Sequence, residues 1–342
     1  MAGGPSAFWL RLLMVCAFCG LGVLQLHFFA KAPFGDTSKS TIRATAACMR
    51  KISTVYGYDI NVHCKKNDKY VSMSIEENTW PVRRVTGVLK SAIKYLKGGN
   101  DGRKLTSLDI GANIGMYTQY MATRGFRVIS FEPLPENIDI FEANVRMNSK
   151  SYGKSDVHLI KAALSTENGK VKISVTPESP GATSLATDLS AVPWEMKHSQ
   201  ITVELTRGDA VLRHLGIKSA EIIKIDVEGH ELGALKGLGS LQSLGVKIIA
   251  AEYFPEMLKA NGMARPQELF TYILNQGFWI WSQKEGAHPV FLRKKEDIDP
   301  FISLHKDRGG HFDIFAISAT TRDRPFYIPV KSGVDACVNC AY

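Results

Sequence analysis

The chain has 342 residues, a formal net charge of +9, and 45% hydrophobic against 22% charged residues. These values are close to those of ordinary soluble domains, and the length allows one large domain with additional segments. The absence of internal repeats and low-complexity tracts excludes repeat architectures. The basic residues are scattered apart from residues 293–295 and the pair Lys65 and Lys66, so they form no basic stripe of the kind typical of nucleic-acid binding.

An apolar segment at residues 12–30 follows a short tail of residues 1–11 and is interrupted only by Gln25 and His27. Its length of about nineteen residues is enough to cross a bilayer. An alanine-lysine-alanine triplet at its end resembles a signal-peptide cleavage site. Pro33 directly after that triplet, and the length of the apolar run, favour an uncleaved transmembrane signal anchor instead. The sequence therefore predicts a single-pass membrane protein.

The rest of the chain divides into three parts. Residues 31–75 are predicted to be a polar stem, residues 76–320 a domain that begins with a helix over 77–96, and residues 321–342 a tail. Basic residues after the apolar segment favour a cytosolic domain, but long domains cross the membrane largely regardless of charge. By analogy with other anchored glycan enzymes, we expect a lumenal domain in the Golgi or endoplasmic reticulum.

Cysteine usage is consistent with that expectation without deciding it. Four cysteines lie outside the apolar segment, at Cys48, Cys64, Cys337 and Cys340. In an oxidising compartment they would form disulfides, for example Cys48 with Cys64, whereas in the cytosol they would remain thiols. A zinc site is disfavoured, because a single C-x-x-C supplies only half of the usual ligands.

Strands and helices alternate within the predicted domain. Strands are predicted over 105–110, 126–132, 157–162, 221–227 and 246–253, and helices over 115–124, 136–148, 230–237 and 266–276. Such alternation predicts an α/β fold with a doubly wound, mostly parallel sheet behind the transmembrane helix. Residues 171–175 and 201–205 are predicted to form an inserted strand pair, and residues 312–318 a late edge strand.

The first strand of this domain runs into a turn with the pattern D-x-G-x-N-x-G, from Asp109 to Gly115. We expect such a strand-to-helix turn to leave free N–H groups facing a ligand. The next strand ends in Glu132, whose carboxylate could accept hydrogen bonds from ribose hydroxyls. Together these features predict a cofactor that contains a nucleoside.

The glycine spacing distinguishes two classes of cofactor. A dinucleotide fingerprint requires G-x-G-x-x-G, but Asn113 occupies the place of the middle glycine here. Asp109 is also available to a cationic group. The pattern therefore favours S-adenosylmethionine over NAD, and an NAD-dependent oxidoreductase remains the alternative among enzymes.

Residues 106–252 resemble the FkbM family of S-adenosylmethionine-dependent methyltransferases. The resemblance is carried, in this order, by LDIGANIGMYTQYMATRGFRVISFEPLPENIDIFEANVRMN, KAALS, GATSL and EIIKIDVEGHELGALKG. It implies a Rossmann-like fold of the class I methyltransferase type, with the cofactor at the strand ends. It also implies methyl transfer to a hydroxyl oxygen of a glycan or a small natural product.

On this basis, one set of residues is assigned to the cofactor. The set consists of Asp109, Gly111, Ala112, Asn113, Gly115, Glu132 and Ala163. Asn144 and Asn148 match the family pattern, but they are interpreted as helix-end and packing residues.

The chemistry is assigned to Lys224, Asp226, His230 and Glu252. Because a sulfonium methyl group needs no activation, these residues would position the acceptor hydroxyl and remove its proton. His230, at a predicted helix N-terminus, is expected to be neutral and competent as a base. Lys224 is expected to act in catalysis or to form an ion pair with Glu252. Asp226 and Glu252 could hold Mg²⁺, but no clear third ligand follows, so no metal site is assigned.

Two other functions stay open from the sequence. In an RNA ribose 2′-O-methyltransferase, Lys224, Asp226 and Glu252 would serve a ribose hydroxyl, but a membrane anchor has little use in such an enzyme. A catalytically inactive, membrane-anchored binding protein is disfavoured by the intact Asp109, Gly111, Gly115, Glu132 and Asp226. We therefore expect a glycan or small-molecule acceptor, contact with the membrane through residues 12–30, and no nucleic acid.

Overall fold

The computed structural model describes residues 48–64, 68, 71–175, 199–283, 288–306, 311–321, 325–328 and 336–338. The predicted tail (1–11), the predicted membrane segment (12–30) and the GATSL motif lie outside these ranges. Across the ranges that are described, no helix is both long and apolar enough to span a bilayer.

Strands and helices alternate through most of the described chain. The strands are β1 (Met49–Ser53), β2 (Asp59–His63), β3 (Thr106–Ile110), β4 (Arg127–Phe131), β5 (Val157–Ile160), β6 (Ala163–Ser165), β7 (Gly169–Val175), β8 (Ser199–Arg207), β9 (Ile222–Ile225), β10 (Ile248–Tyr253), β11 (Phe278–Ser282), β12 (Val290–Leu292), β13 (Phe312–Ser318), β14 (Tyr327–Ile328) and β15 (Ala336–Cys337). The helices are α1 (Ser72–Glu76), α2 (Trp80–Gly98), α3 (Met116–Ala122), α4 (Pro135–Asn148), α5 (Gly208–His214), α6 (Glu231–Gly237), α7 (Pro255–Ala260), α8 (Glu268–Asn275) and α9 (Ile298–Ser303).

The central sheet has the strand order β12-β11-β13-β10-β9-β3-β4-β5. From β10 to β5 all neighbouring strands are parallel, whereas β13, β11 and β12 are added antiparallel to their neighbours. The prediction of a doubly wound, mostly parallel α/β sheet is therefore confirmed. The chain order reverses between β3 and β9, and ligands bind at such a switch point, outside the carboxyl ends of the strands.

The strand at residues 312–318 exists, but its prediction as an edge strand is wrong. β13 pairs with β10 on one side and with β11 on the other. The physical reason is burial on both faces, since Ile314, Phe315, Ala316 and Ile317 are consecutive and all buried. A continuous apolar run is typical of an interior strand, whereas a half-exposed edge alternates.

Each face of the sheet carries its own hydrophobic core. Alternation along β9 places Ile223 and Ile225 in one core and Ile222 in the other. The first core packs against α5, α6 and α8, and the second against α2 and α3. Lys224 shares the face of Ile222, so its side chain lies in a mostly apolar layer.

Residues 48–63, which the sequence assigned to a stem, are part of the folded domain. β1 and β2 form an antiparallel hairpin, and a disulfide joins Cys48 to Cys64 across its open end. Tyr58, Ile60 and Val62 are buried in the same core as α2. These three residues alternate with Asp59 and Asn61, so the segment has the period-two pattern of a strand within a polar sequence.

Parts of the predicted insertion and of the predicted tail also form strands that pair with other strands. β7 and β8 form the predicted strand pair, with antiparallel direction, and β6 joins β8 to complete a separate three-stranded sheet. Within the region predicted as a C-terminal tail, β14 pairs with β15. Phe326, Ile328 and Val338 are fully buried and extend the second core beyond residue 320.

Candidate active site

A cavity of about 430 Å³ lies at the carboxyl ends of β3, β4, β9 and β10. This volume is within the usual range for small-molecule sites. The predicted site residues that line it are Gly111, Ala112, Asn113, Glu132, Ala163, Lys224, Asp226, His230 and Glu252. Asp109 and Gly115 instead lie behind its wall. The structure thus brings both predicted groups of residues, for cofactor and for chemistry, to one cavity.

The turn after β3 is shaped by close packing against the chain after β9. Gly111 has φ +74°, and a Cβ atom there would lie 1.9 Å from the carbonyl oxygen of Asp226. Gly115 has φ +87°, and a Cβ atom would lie 2.7 Å from the Phe141 ring. Asn113 also has positive φ, at 51°, a region that asparagine tolerates better than most residues. The glycines are required here by both space and backbone conformation.

For residues 111–115, the expectation that the turn offers free N–H groups to a ligand is wrong. The amides of Gly111 and Ala112 both donate to the carbonyl oxygen of Phe131 at the end of β4. Those of Asn113, Ile114 and Gly115 donate to Glu132, to the Asn113 side chain and to Ala112 respectively. Because β4 ends beside the turn, its carbonyl and carboxylate take the donors that a pyrophosphate would need.

Glu132 is buried and braces the turn from the end of β4. Its Oε2 accepts the Asn113 amide at 2.8 Å, and its Oε1 accepts the Leu134 amide at 2.9 Å and the Asn137 side chain at 3.3 Å. Burial raises the pKa of Glu132, and these hydrogen bonds oppose that rise. A carboxylate has about four acceptor positions, so about one remains, on Oε2, for a ligand hydroxyl.

Lys224 and Asp109 form the floor below the cavity. Asp109 is fully buried, and its Oδ2 accepts the Thr118 hydroxyl at 2.6 Å. Burial raises the pKa of Asp109, while the charge of Lys224 lowers it. The Lys224 ammonium lies 4.0 Å from Asp109 and 3.5 Å from Asp226, and it donates to the Gly111 carbonyl at 3.2 Å. Lys224 therefore pairs with these two carboxylates, in place of the predicted pair with Glu252.

Three carboxylates face one another at the ends of β9 and β10. One oxygen from each of Asp226, Glu228 and Glu252 lies within 4.8 Å of the other two. Burial, followed by the charges of Glu252 and Asp226, raises the pKa of Glu228 well above its usual value. Glu228 is the third hard donor that the sequence did not assign. The donor set fits a divalent cation, and a proton on Glu228 relieves the same repulsion.

The Glu252 carboxylate contacts His311, a residue that the sequence did not single out. His311 Nε2 lies 2.6 Å from Glu252 Oε1, and its ring stacks on Phe254 with centroids 4.3 Å apart. Burial lowers the pKa of His311, but the hydrogen bond and charge of Glu252 raise it more, so the net shift is upward. His311 directly precedes β13, whose first residue pairs with Tyr253. His311 and Glu252 are 59 residues apart in the chain, so their contact follows only from the pairing of β13 with β10.

His230 lies at the start of α6, as predicted, with its ring on the cavity wall. Its Nε2 is 3.3 Å from the Ser165 hydroxyl, and burial lowers its pKa, so the ring is neutral near pH 7. The next residue, Glu231, has another role. Its Oε1 accepts the amides of Val227 and Gly229 and thereby holds the turn after β9.

These observations define an α/β protein with a small-ligand cavity between a glycine turn and a carboxylate-rich strand end. The family model for the methyltransferase FkbM domain matches residues 109–279, which is half of the chain. The chain belongs to the FkbM methyltransferase family.

The relatives are distant in sequence, and each is longer than the region of it that matches this chain. The methyltransferase sdnD of Sordaria araneosa is 29% identical over 156 residues, which cover 38% of this chain and 59% of that protein. The hexuronic acid methyltransferase AglP of Haloferax volcanii is 25% identical over 182 residues, covering 53% and 69%. A solved structure of an FkbM methyltransferase from Methylobacillus flagellatus KT is 14% identical, with coverage of 69% and 59% and a TM-score of 0.36. The chain thus spans less than two thirds of the first relative.

Proposed function

We propose that this protein is an S-adenosylmethionine-dependent methyltransferase that methylates a hydroxyl group on a glycan or a small natural product. The observation that carries the proposal is a single cavity with Glu132 and the glycine turn at one side and the His311–Glu252 pair at the other. A nucleoside group and an acceptor can then lie within one cavity, as methyl transfer requires.

The residues present fit S-adenosylmethionine better than a dinucleotide. Glu132 keeps about one acceptor position for a ribose hydroxyl, Asn113 lies beside it, and Ala163 lines the same cavity. The amides of residues 111–115 are all bonded internally, so a pyrophosphate would find no donors in this turn. When bound, S-adenosylmethionine supplies an electrophilic methyl group on sulfur.

His311 is proposed as the base that takes the proton of the acceptor hydroxyl. Its Nε2–H donates to Glu252, which fixes the ring and leaves Nδ1 as the atom that accepts a proton. His311 Nδ1 would take the proton that the acceptor hydroxyl loses when its oxygen is methylated. Asp226 and Lys224 position the acceptor and balance charge, and neutral His230 also lines the cavity.

Charge around the acceptor side favours a neutral partner. Asp226, Glu228 and Glu252 repel a phosphate or carboxylate placed among them. A hydroxyl-bearing glycan or natural product therefore suits this side better than the RNA of the alternative function.

A lumenal location is part of the proposal. The apolar segment at residues 12–30 supports a single-pass membrane protein. The Cys48–Cys64 disulfide supports a catalytic domain in an oxidising compartment, such as the lumen of the endoplasmic reticulum or Golgi.

The test is transfer of a labelled methyl group by the purified full-length chain to a panel of acceptors. The panel contains neutral glycosides, hydroxylated natural products, uronic acid glycosides and RNA. We expect labelling of a neutral hydroxyl, located by mass spectrometry, and its loss in His311→Ala. Labelling of RNA alone would establish the ribose methyltransferase instead, and binding without any transfer would support the inactive binding protein.

A further inference from the structure

The disulfide-closed hairpin of β1 and β2 contacts the cofactor side of the cavity at three points. The Tyr58 hydroxyl donates to the carbonyl of Met116, the first residue after the glycine turn, at 2.9 Å. The Asn144 side chain accepts the Asn61 amide at 2.6 Å and donates to the Ile114 carbonyl at 2.8 Å. The hairpin is therefore bonded to the turn both directly and through α4.

The third contact leads to the carboxylate of Glu132. His63 is 2% exposed, and its Nε2 lies 3.0 Å from Asn137 Oδ1. Asn137 is also 2% exposed, and its Nδ2 lies 3.3 Å from Glu132 Oε1. A continuous buried chain of hydrogen bonds thus runs from the hairpin to the carboxylate assigned to the ribose.

The direction of these bonds is fixed by chemistry. An ionised carboxylate only accepts, so Asn137 must present its NH₂ group to Glu132 and its oxygen to His63. His63 must then donate from Nε2. If this donor is lost, the oxygen of Asn137 is left buried without its partner. Nothing then fixes the orientation of the Asn137 amide, so its NH₂ group can turn away from Glu132.

We propose that His63 is a positioning residue of the cofactor site, which sets the ribose-binding geometry of Glu132 through Asn137. The inference rests on the proposed function, in which Glu132 accepts a ribose hydroxyl. The Cys48–Cys64 disulfide supports the arrangement, because Cys64 directly follows His63 and fixes the end of β2 from which His63 projects. The N-terminal hairpin, outside the matched region 109–279, thereby becomes part of the cofactor site.

The test compares two ligands by calorimetry on the purified full-length chain and on His63→Leu. The ligands are S-adenosylhomocysteine and its 2′,3′-dideoxy analogue, which lacks the hydroxyls that Glu132 would contact. We expect His63→Leu to weaken the first ligand about tenfold, as one buried hydrogen bond suggests, and the second less than about threefold. A role limited to folding would weaken both ligands equally.

Two further variants serve as controls for His63→Leu. His63→Gln retains an N–H donor at similar reach, so it should restore most of the affinity for S-adenosylhomocysteine. Ser53→Ala removes an exposed hydrogen bond to Asp59 in the same hairpin and should leave both affinities unchanged. If His63→Leu does not fold, the comparison uses Cys48→Ser with Cys64→Ser, which should weaken S-adenosylhomocysteine selectively and by a smaller factor.

Binding by the wild-type chain tests the proposed function, and the comparison with His63→Leu tests the role of His63. If the wild type binds S-adenosylhomocysteine and His63→Leu binds it equally well, or loses both ligands equally, His63 is not a positioning residue and the proposed function stands. If the wild-type chain binds neither ligand, the proposed function fails and the inference fails with it.

Discussion

At the scale of single residues, the buried carboxylates around the cavity differ in their partners. Glu132 accepts three hydrogen bonds, and Asp109 accepts the Thr118 hydroxyl and lies 4.0 Å from the Lys224 ammonium, which partly offsets the burial of their charges. Glu231 accepts two amides on Oε1, while its Oε2 is buried without a hydrogen-bond partner. Its environment therefore disfavours the ionised form, and burial raises its pKa to about 7.

Glu231→Gln should stabilise the protein at pH 8 and have little effect at pH 5. The folded-state pKa of Glu231 is about 7 against a usual 4.5, so the folded state holds its proton longer. The contribution of this group to stability is present below pH 4.5 and is lost as pH rises through 7. Glutamine is neutral at every pH and keeps an oxygen for the two amides. Urea unfolding should show a gain of at most about 3 kcal/mol at pH 8, and an equal effect at both pH values would contradict this account.

His311 should give the methyl transfer rate its dependence on pH. As a base it acts only when deprotonated, so kcat should rise as pH increases through its raised pKa. Glu252→Gln removes the charge that raises this pKa, so the rising limb should move to lower pH while kcat falls about 10²-fold. Rates measured between pH 5 and 9 with an acceptor from the panel test both effects.

The half-exposed His158, whose Nε2 lies 3.1 Å from Asp156 and which does not line the cavity, provides a matched control for this pH profile. His158→Ala should leave the profile unchanged. A rate limb that stays in place in Glu252→Gln would show that another group, such as His230, is the base.

At the scale of elements, the glycine turn after β3 should be intolerant of any side chain at Gly111. A Cβ atom there would overlap the backbone of Asp226, which cannot move without displacing the end of β9. Gly111→Ala should lower the free energy of unfolding by at least about 3 kcal/mol and abolish ligand binding. Denaturant unfolding and calorimetry measure the two effects.

Gly216→Ala separates the effect of crowding from that of backbone conformation. Gly216, just after α5, also has positive φ, at +67°, but its Cβ position is open. This variant should cost about 1 kcal/mol and leave ligand binding intact. Equal losses in the two alanine variants would show that packing of the turn against Asp226 is unimportant.

The cofactor side of the site could be predicted from sequence because its signals are local. Gly111, Asn113 and Glu132 follow buried strands directly, and parallel strands bring their carboxyl ends to one edge. His311 could not be predicted in this way, because its contact with Glu252 depends on β13 pairing antiparallel with β10. The bonding of the turn amides to β4 was equally hidden, since it depends on how closely two strand ends approach.

At the scale of the whole molecule, the folded domain extends into the polar flanks that the sequence assigned to a stem and a tail. The hairpin at residues 48–63 and the segments around Phe326 and Val338 complete the core on one face of the sheet. Sequence reasoning found the parallel sheet from its long apolar runs. It assigned the flanks to a stem and a tail because the buried residues there are few and alternate with more exposed ones such as Asn61 and Tyr327, which leaves little hydrophobic signal.

A chain that begins at residue 72 should therefore be much less stable than one that begins at residue 44. It lacks Tyr58, Ile60 and Val62, each buried, and each such side chain contributes roughly 1.5–3 kcal/mol. The total is comparable to the whole stability of many domains. Thermal unfolding of the two chains should show a markedly lower Tm, or no cooperative transition, for the shorter one. Equal Tm values would contradict the inclusion of the hairpin in the core.

The most direct test of the central claim is calorimetric binding of S-adenosylmethionine by the full-length chain, with NAD as the comparison ligand and Glu132→Ala as the site variant. We expect binding of S-adenosylmethionine, its loss in Glu132→Ala, and no binding of NAD. Glu204→Ala, which removes an exposed carboxylate paired with Lys170, should bind as the wild type does. Binding of NAD in preference to S-adenosylmethionine, or S-adenosylmethionine binding unaffected by Glu132→Ala, would contradict that claim.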